Sequence, residues 1–207
     1  LQTKKYLNDG AMSGNQEAFQ KAMNQGHSAA WDQSWNQAAG FYRVALDEFP
    51  DHPAALTSLA LALFEMEDFE SAARYYLRAA QASPNDPVPF EKLATIYERQ
   101  NRVNEAVRTS IQAADLYLKA RDVEKSILNW RRVLSLQESL LARTRLAMIF
   151  ERTGRKPEAV NEYLACAALM QHGGDLAKAM QVVEYALQLM PDHVEAQRSL
   201  TMLRTNQ

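Results

Sequence analysis

PAALTSLALALFEMEDFESAARYYLRAAQASPND, residues 53–86, decides the fold. Small and apolar residues recur through it at steps of three, four and seven, the period of a helix with one buried face. The period breaks once, around Asp68, a residue type suited to capping a helix start, and stops again at Pro84. The stretch therefore reads as two helices, 53–66 and 69–82, joined by a tight turn. Downstream, KLATIYERQNRVNEAV at 92–107 returns 53 residues later as RLAMIFERTGRKPEAV at 145–160, with nine of sixteen positions identical. Repeats of this length denote stacked supersecondary units, each of which buries its apolar face against the next.

The same helical period runs through the rest of the chain, and no alternating stretch bounded by hairpin turns competes with it. Helices are predicted at 15–30, 34–48, 53–66, 69–82, 87–100, 103–120, 122–137, 139–153, 156–172, 175–190 and 192–205. Pro53, Pro87 and Pro157 fall where helices begin, and Pro50, Pro84 and Pro191 just after helices end. Asp68, Asp122 and Asp175 are candidate caps or first-turn acids. Connections of two to five residues make sequential helices antiparallel neighbours.

The 34-residue unit resembles the tetratricopeptide repeat (TPR). Leu56, Leu59, Ala60, Leu63, Ala72, Tyr76, Ala79 and Pro84 stand where that family's pattern asks for large, small and aromatic residues and a closing proline. Residues 19–52 keep Gly26, Ala38, Tyr42, Ala45 and Pro50, a worn first repeat. Residues 87–120 keep Phe90, Leu93, Ala94, Tyr97, Ala106 and Ala113 but lack the closing proline. After Val107 the pattern departs. Helix 103–120 closes one repeat and opens the next, with Trp130 and Val133 at the family's aromatic and small positions, so the 53-residue unit has three helices. The resemblance covers about 19–205 and implies an all-α fold of ten to eleven helices, antiparallel hairpins stacked as a right-handed α-solenoid. It divides the chain into repeats at about 19–52, 53–86, 87–142 and 143–193, within a single domain over 15–205.

Of the 207 residues 47% are apolar, ample for a continuous core, and the formal net charge of −2 gives no general field for nucleic acid or an acidic partner. No apolar run reaches the roughly eighteen residues of a membrane span. The single cysteine, Cys166, excludes an internal disulfide and fits a reducing compartment, so a cytoplasmic setting is expected. The polar residues 1–14 read as a flexible lead or linker, and Leu1 in place of methionine leads to the expectation of a chain processed or cut from something longer. The last helix carries Val194, Leu200 and Leu203 on one side and Arg198 and Arg204 on others, the pattern of a solubilising cap on a monomer.

Chemistry is hard to assemble from these residues. Histidines 27, 52, 172 and 193 include no pair at metal-ligand spacing, so neither a metal nor a cofactor is expected. Cys166 occupies a small-residue position on an apolar face and reads as core. Most carboxylates have a base three or four residues away, as in Glu98 with Arg102 and Glu151 with Arg155, which reads as ordinary surface pairing. No acid and base pair presents itself for catalysis, and the chain is not expected to be an enzyme.

By the resemblance, the first helix of each repeat lines a concave surface that binds a segment of another protein. This assigns Met23, His27, Ala30 and Trp31 in the first repeat, Ala54, Thr57, Leu61, Phe64 and Glu65 in the second, and Glu91, Thr95, Glu98 and Arg99 in the third. Trp31, Leu61 and Phe64 would form an apolar anchor pocket with a polar rim, although packing of Trp31 and Phe64 against adjoining helices fits the sequence as well. The clamp by which some TPR domains hold a chaperone's C-terminal carboxylate needs Lys or Asn at positions that carry Met23, His27 and Ser58 here, and Lys or Arg at Val88 and Lys92. Only the last remains, too few donors to bury a carboxylate. A second candidate surface is basic: from Lys119 to Lys156 ten Lys or Arg stand against four acids, and Arg131, Arg132, Arg143 and Arg145 could receive an acidic peptide or a phosphate. A regulatory domain that binds a small ligand or signalling peptide within the superhelix is the alternative to a scaffold or adaptor.

Overall fold

In a computed structural model residues 14–205 are described, and among them the chain is wholly helical, with eleven helices and no strand. These are α1 (Gln16–Trp31), α2 (Trp35–Glu48), α3 (Pro53–Glu65), α4 (Phe69–Ala82), α5 (Pro87–Arg99), α6 (Val103–Lys119), α7 (Val123–Leu136), α8 (Leu140–Arg152), α9 (Lys156–His172), α10 (Leu176–Leu189) and α11 (Val194–Thr205). Every boundary lies within two residues of the one expected. Apart from Gly14, the expected lead over 1–14 lies outside the described residues.

The chain divides into two compact units, one ending at Pro89 and the other beginning at Phe90. In the first, α1 packs on α2, α2 on α3 and α3 on α4. The pairs are antiparallel: the Asn15 amide at the start of α1 donates to Glu48 at the end of α2 (2.8 Å), and Arg78 late in α4 donates to the Pro50 carbonyl ahead of α3 (2.7 Å). Ala38, Ala45, Ala72 and Ala79 have no exposed surface. Small side chains at these points let the helix backbones approach, and Tyr76, Leu56 and Leu59 fill the space around them.

The second unit packs α6 on α7, α7 on α8, α8 on α9, α9 on α10 and α10 on α11. Trp130, Val133, Leu146 and Phe150 form the centre of one cluster, and Ala179, Val183, Ala196 and Leu203 the centre of another. Trp130 and Val133 are fully buried, as their positions in the repeat require.

Turns with and without a left-handed residue separate the helices. After α1, α3, α5, α6, α8 and α9 the chain takes one left-handed residue: Gln33, Glu67, Asn101, Arg121, Gly154 and Gly174, with φ between 56° and 82°. There the amides fold back in one pattern, as Glu67 N to Phe64 O (3.0 Å) and Asp68 N to Leu63 O (2.9 Å). The left-handed conformation costs a residue other than glycine about 1 kcal/mol, offset here by satisfying helix-end carbonyls. Three of these turns precede an aspartate cap: Asp68, Asp122 and Asp175 accept from the amides of Ser71, Lys125 and Lys178. The turns at 101 and 121 recur at 154 and 174, the 53-residue period of the sequence, so α5–α7 and α8–α10 are the two copies of a three-helix unit.

Candidate functional site

The first-helix residues of the first unit divide by rotation about their helices. Met23, His27 and Trp31 are spaced by four on α1, and each such step advances about 40° around a helix of 3.6 residues per turn. Met23 is 5% exposed and belongs to the core, His27 is exposed with its ring 5.7 Å from that of Tyr42, and Trp31 at the helix end is 89% exposed. Met23 is therefore not a groove residue, because the stripe that starts in the core has turned to solvent two steps later. On α3, Thr57, Leu61 and Phe64 are half-buried, Ala54 and Glu65 are exposed, and the Phe64 ring meets Phe69 edge-on at 5.5 Å. Phe64 thus packs within its own hairpin, whereas Trp31 does not pack away.

In the second unit the polar first-helix residues are engaged inside the protein. Thr95 donates to the Glu91 carbonyl (3.2 Å), the Tyr117 hydroxyl donates to the Glu91 carboxylate, and Arg132 of α7 donates to the Glu91 carbonyl (3.2 Å). Arg132 also pairs with Glu98 at 3.6 Å. Arg99 lies on the exposed last turn of α5.

The four-arginine surface breaks up for the same reason. Arg143 donates to Glu138 (2.8 Å) and Glu162 (3.0 Å), and its hydrogen bond holds the Glu138 carboxyl below the usual carboxylate range. With Arg132 paired to the Glu98 carboxylate, two of the four guanidiniums are neutralised locally. Arg131 lies 5.9 Å over the Phe150 ring, and Arg145 is exposed with no ion pair among the described residues. The charge excess along the sequence did not reveal this, because two of the carboxylates, Glu98 and Glu162, lie on other helices outside the counted stretch.

The expected pairs Glu98 with Arg102 and Glu151 with Arg155 do not form. Arg102 and Arg155 stand beyond the left-handed turns, as the residues before α6 and α9, and share no helix face with the earlier glutamates. They reach forward instead to Glu105 (2.9 Å) and Glu158 (3.0 Å). Glu151 accepts from Tyr163 (2.8 Å) and Tyr185 (2.7 Å). Cys166 is buried beside Thr144, and burial pushes its thiol up, away from the reactive thiolate. Among the described residues no group of three or more His, Cys, Asp or Glu could hold a metal ion, and no helix is long and apolar enough to cross a membrane.

One grouping escaped the reading of the sequence. Arg145 and Arg152 lie seven residues apart on α8, two turns and therefore one face, and both line a cavity beside Met148. Their spacing was legible. The apolar floor between them was not, since other helices supply part of it.

The model of the tetratricopeptide repeat family matches residues 23–87 and 111–171, more than half of the chain, and the chain belongs to that family. Solved structures share the fold. The TPR2B domain of yeast Sti1, in a complex with pHsp70, aligns with a TM-score of 0.54 at 16% identity over 58% of this chain and 96% of its own. The TPR domain of Arabidopsis OM64 gives 0.53 at 21% identity over 59% and 98%. YrrB, a TPR protein with an unusual peptide-binding site, gives 0.52 at 18% identity over 88% and 97%. At such identities the likeness concerns the fold alone. No curated protein matches the sequence.

Proposed function

We propose that this chain is a non-catalytic interaction module that binds a segment of another protein on the first-helix face of its first unit. Trp31 is the anchor, Leu61 and Phe64 contribute apolar surface, and His27, Thr57 and Glu65 supply the polar surround. The observation that carries this reading is the exposure of Trp31. At 89% it leaves a large apolar ring in water, while Trp130 in the same chain is fully buried. Exposed tryptophans that become buried on association rank among the strongest contributors to binding energy. Membership in a repeat family built to present surface supports the same reading. Binding a flexible segment carries an ordering cost, so micromolar affinity, about −8 kcal/mol, is expected.

The test is affinity capture from a lysate of the source organism with the wild-type chain, Trp31→Ala, and a Trp31→Ala, Phe64→Ala pair, followed by titration of the captured protein. Loss of Trp31 should weaken a genuine partner by about 2 kcal/mol, roughly thirtyfold, at unchanged helical content. A partner that binds Trp31→Ala as tightly as wild type would place recognition elsewhere and overturn the proposal.

A further inference from the structure

The α6–α7 turn and the second half of α8 enclose a cavity of about 230 Å³ in the second unit. Leu118, next to last in α6, and Val123, first in α7, form one wall, and Met148 and Ile149 of α8 form the other. The left-handed Arg121 sets the angle of the turn and so the separation of Leu118 from Val123. Ile149 is buried, whereas Leu118, Val123 and Met148 stay half-exposed, so the apolar walls open to solvent. Arg145, Arg152 and Thr153 complete the lining, the two arginines exposed and neither in an ion pair among the described residues. No carboxylate lines the space.

Size and charge together select an occupant. A cavity near 150 Å³ accepts benzene, and sites for drug-sized ligands run from about 300 to 1,000 Å³. About 230 Å³ therefore suits one aromatic or branched side chain and is small for a whole metabolite. Two unpaired guanidiniums at the mouth of an apolar space favour negative charge on either side of that side chain. A role at the end of α8 would account for Arg152, but Arg145 sits mid-helix and has no such task.

We propose that this cavity is a second docking site, which takes a single apolar side chain flanked by acidic residues in a segment of a partner protein. Arg145 repeats the position of Lys92 one 53-residue copy on, but the Lys and Asn donors that would complete the family's carboxylate clamp are absent from the lining. The site lies in the other unit from Trp31, and the proposal does not depend on the Trp31 reading.

The test is a methyl NMR titration of the full chain, labelled at the methionine methyls, with the blocked peptide Asp-Glu-Phe-Glu-Asp. The Met148 methyl should shift saturably. The Arg145→Glu, Arg152→Glu pair should weaken binding about tenfold or more, and Arg145→Gln, Arg152→Gln should weaken it less, with helical content by circular dichroism unchanged in both. Trp31→Ala should leave the titration unaltered, and a peptide with glycine in place of its phenylalanine should cause no shift. The proposal is overturned by an unmoved Met148 at about 5 mM peptide, by equal binding of a peptide with Asn and Gln flanks, or by arginine variants that bind as wild type does. Phenylacetate binding as tightly as the peptide would also overturn it, as the site would then take a small carboxylate.

Discussion

Tyr185 of α10 donates its hydroxyl to Glu151 of α8 at 2.7 Å, across 34 residues of sequence. Tyr163 of α9 donates to the other oxygen of that carboxylate at 2.8 Å, and the two phenol rings meet edge-on at 5.3 Å. One carboxylate thus ties together three successive helices of the second three-helix unit. Glu151→Ala should lower stability by about 1–3 kcal/mol, mostly through the half-buried Tyr163 hydroxyl it leaves without an acceptor. Glu151→Gln keeps one acceptor oxygen and should cost less. Urea midpoints of the two variants check the order, and equal midpoints would mean the carboxylate holds nothing.

Two glycines should respond to alanine with opposite sign. A Cβ at Gly26 would stand 2.5 Å from the Tyr42 ring, where α1 and α2 cross, whereas one at Gly40 on exposed α2 surface would meet nothing within 4 Å. Gly40→Ala should stabilise by about 0.5–1 kcal/mol through helix propensity alone. Gly26→Ala gains the same propensity but overpacks the crossing by about 1–3 kcal/mol, so its melting temperature should fall. A rise in both would show that the Tyr42 ring moves aside freely.

Alkaline pH should weaken the first unit through Tyr76. Burial, reinforced by the Glu65 carboxylate, holds this phenol well above its ordinary range. A folded-state pKa raised above the unfolded value gives stability that is full below about pH 10 and declines as pH rises beyond it, because the unfolded chain loses the proton first. The slope from one such group is about 1.4 kcal/mol per pH unit. Urea unfolding followed from about pH 9 to pH 11 should show a steeper loss for wild type than for Tyr76→Phe, which cannot ionise. Parallel curves would remove Tyr76 as the source.

The helices and turns were legible because their signals are local. Prolines at 53 and 87, aspartates at 68, 122 and 175, and alanines such as Ala72 and Ala79 each act within a turn or at one crossing. The face that a side chain presents was less legible. Position in the repeat puts Met23 in the groove, yet a rotation of about 80° separates it from Trp31. Glu98 and Arg102 are four apart in sequence but lie on opposite sides of a left-handed turn, which cancels helical neighbourhood. The basic run fails for a third reason: the carboxylates of Glu98 and Glu162 neutralise Arg132 and Arg143 from other helices, at separations that a count along the chain does not register.

Among the described residues the extensive helix contacts in each unit join consecutive helices. Loop closure is therefore short at each step, which favours rapid folding by local nucleation and growth. The same wiring governs response to force. Tension applied at the C-terminal end loads α11 first, and once α11 lifts away, α10 loses its packing on that side while α6–α8 keep theirs. Such a chain yields hairpin by hairpin, lengthening in small steps at modest force, where a fold tied by distant strand pairings would hold and then fail at once.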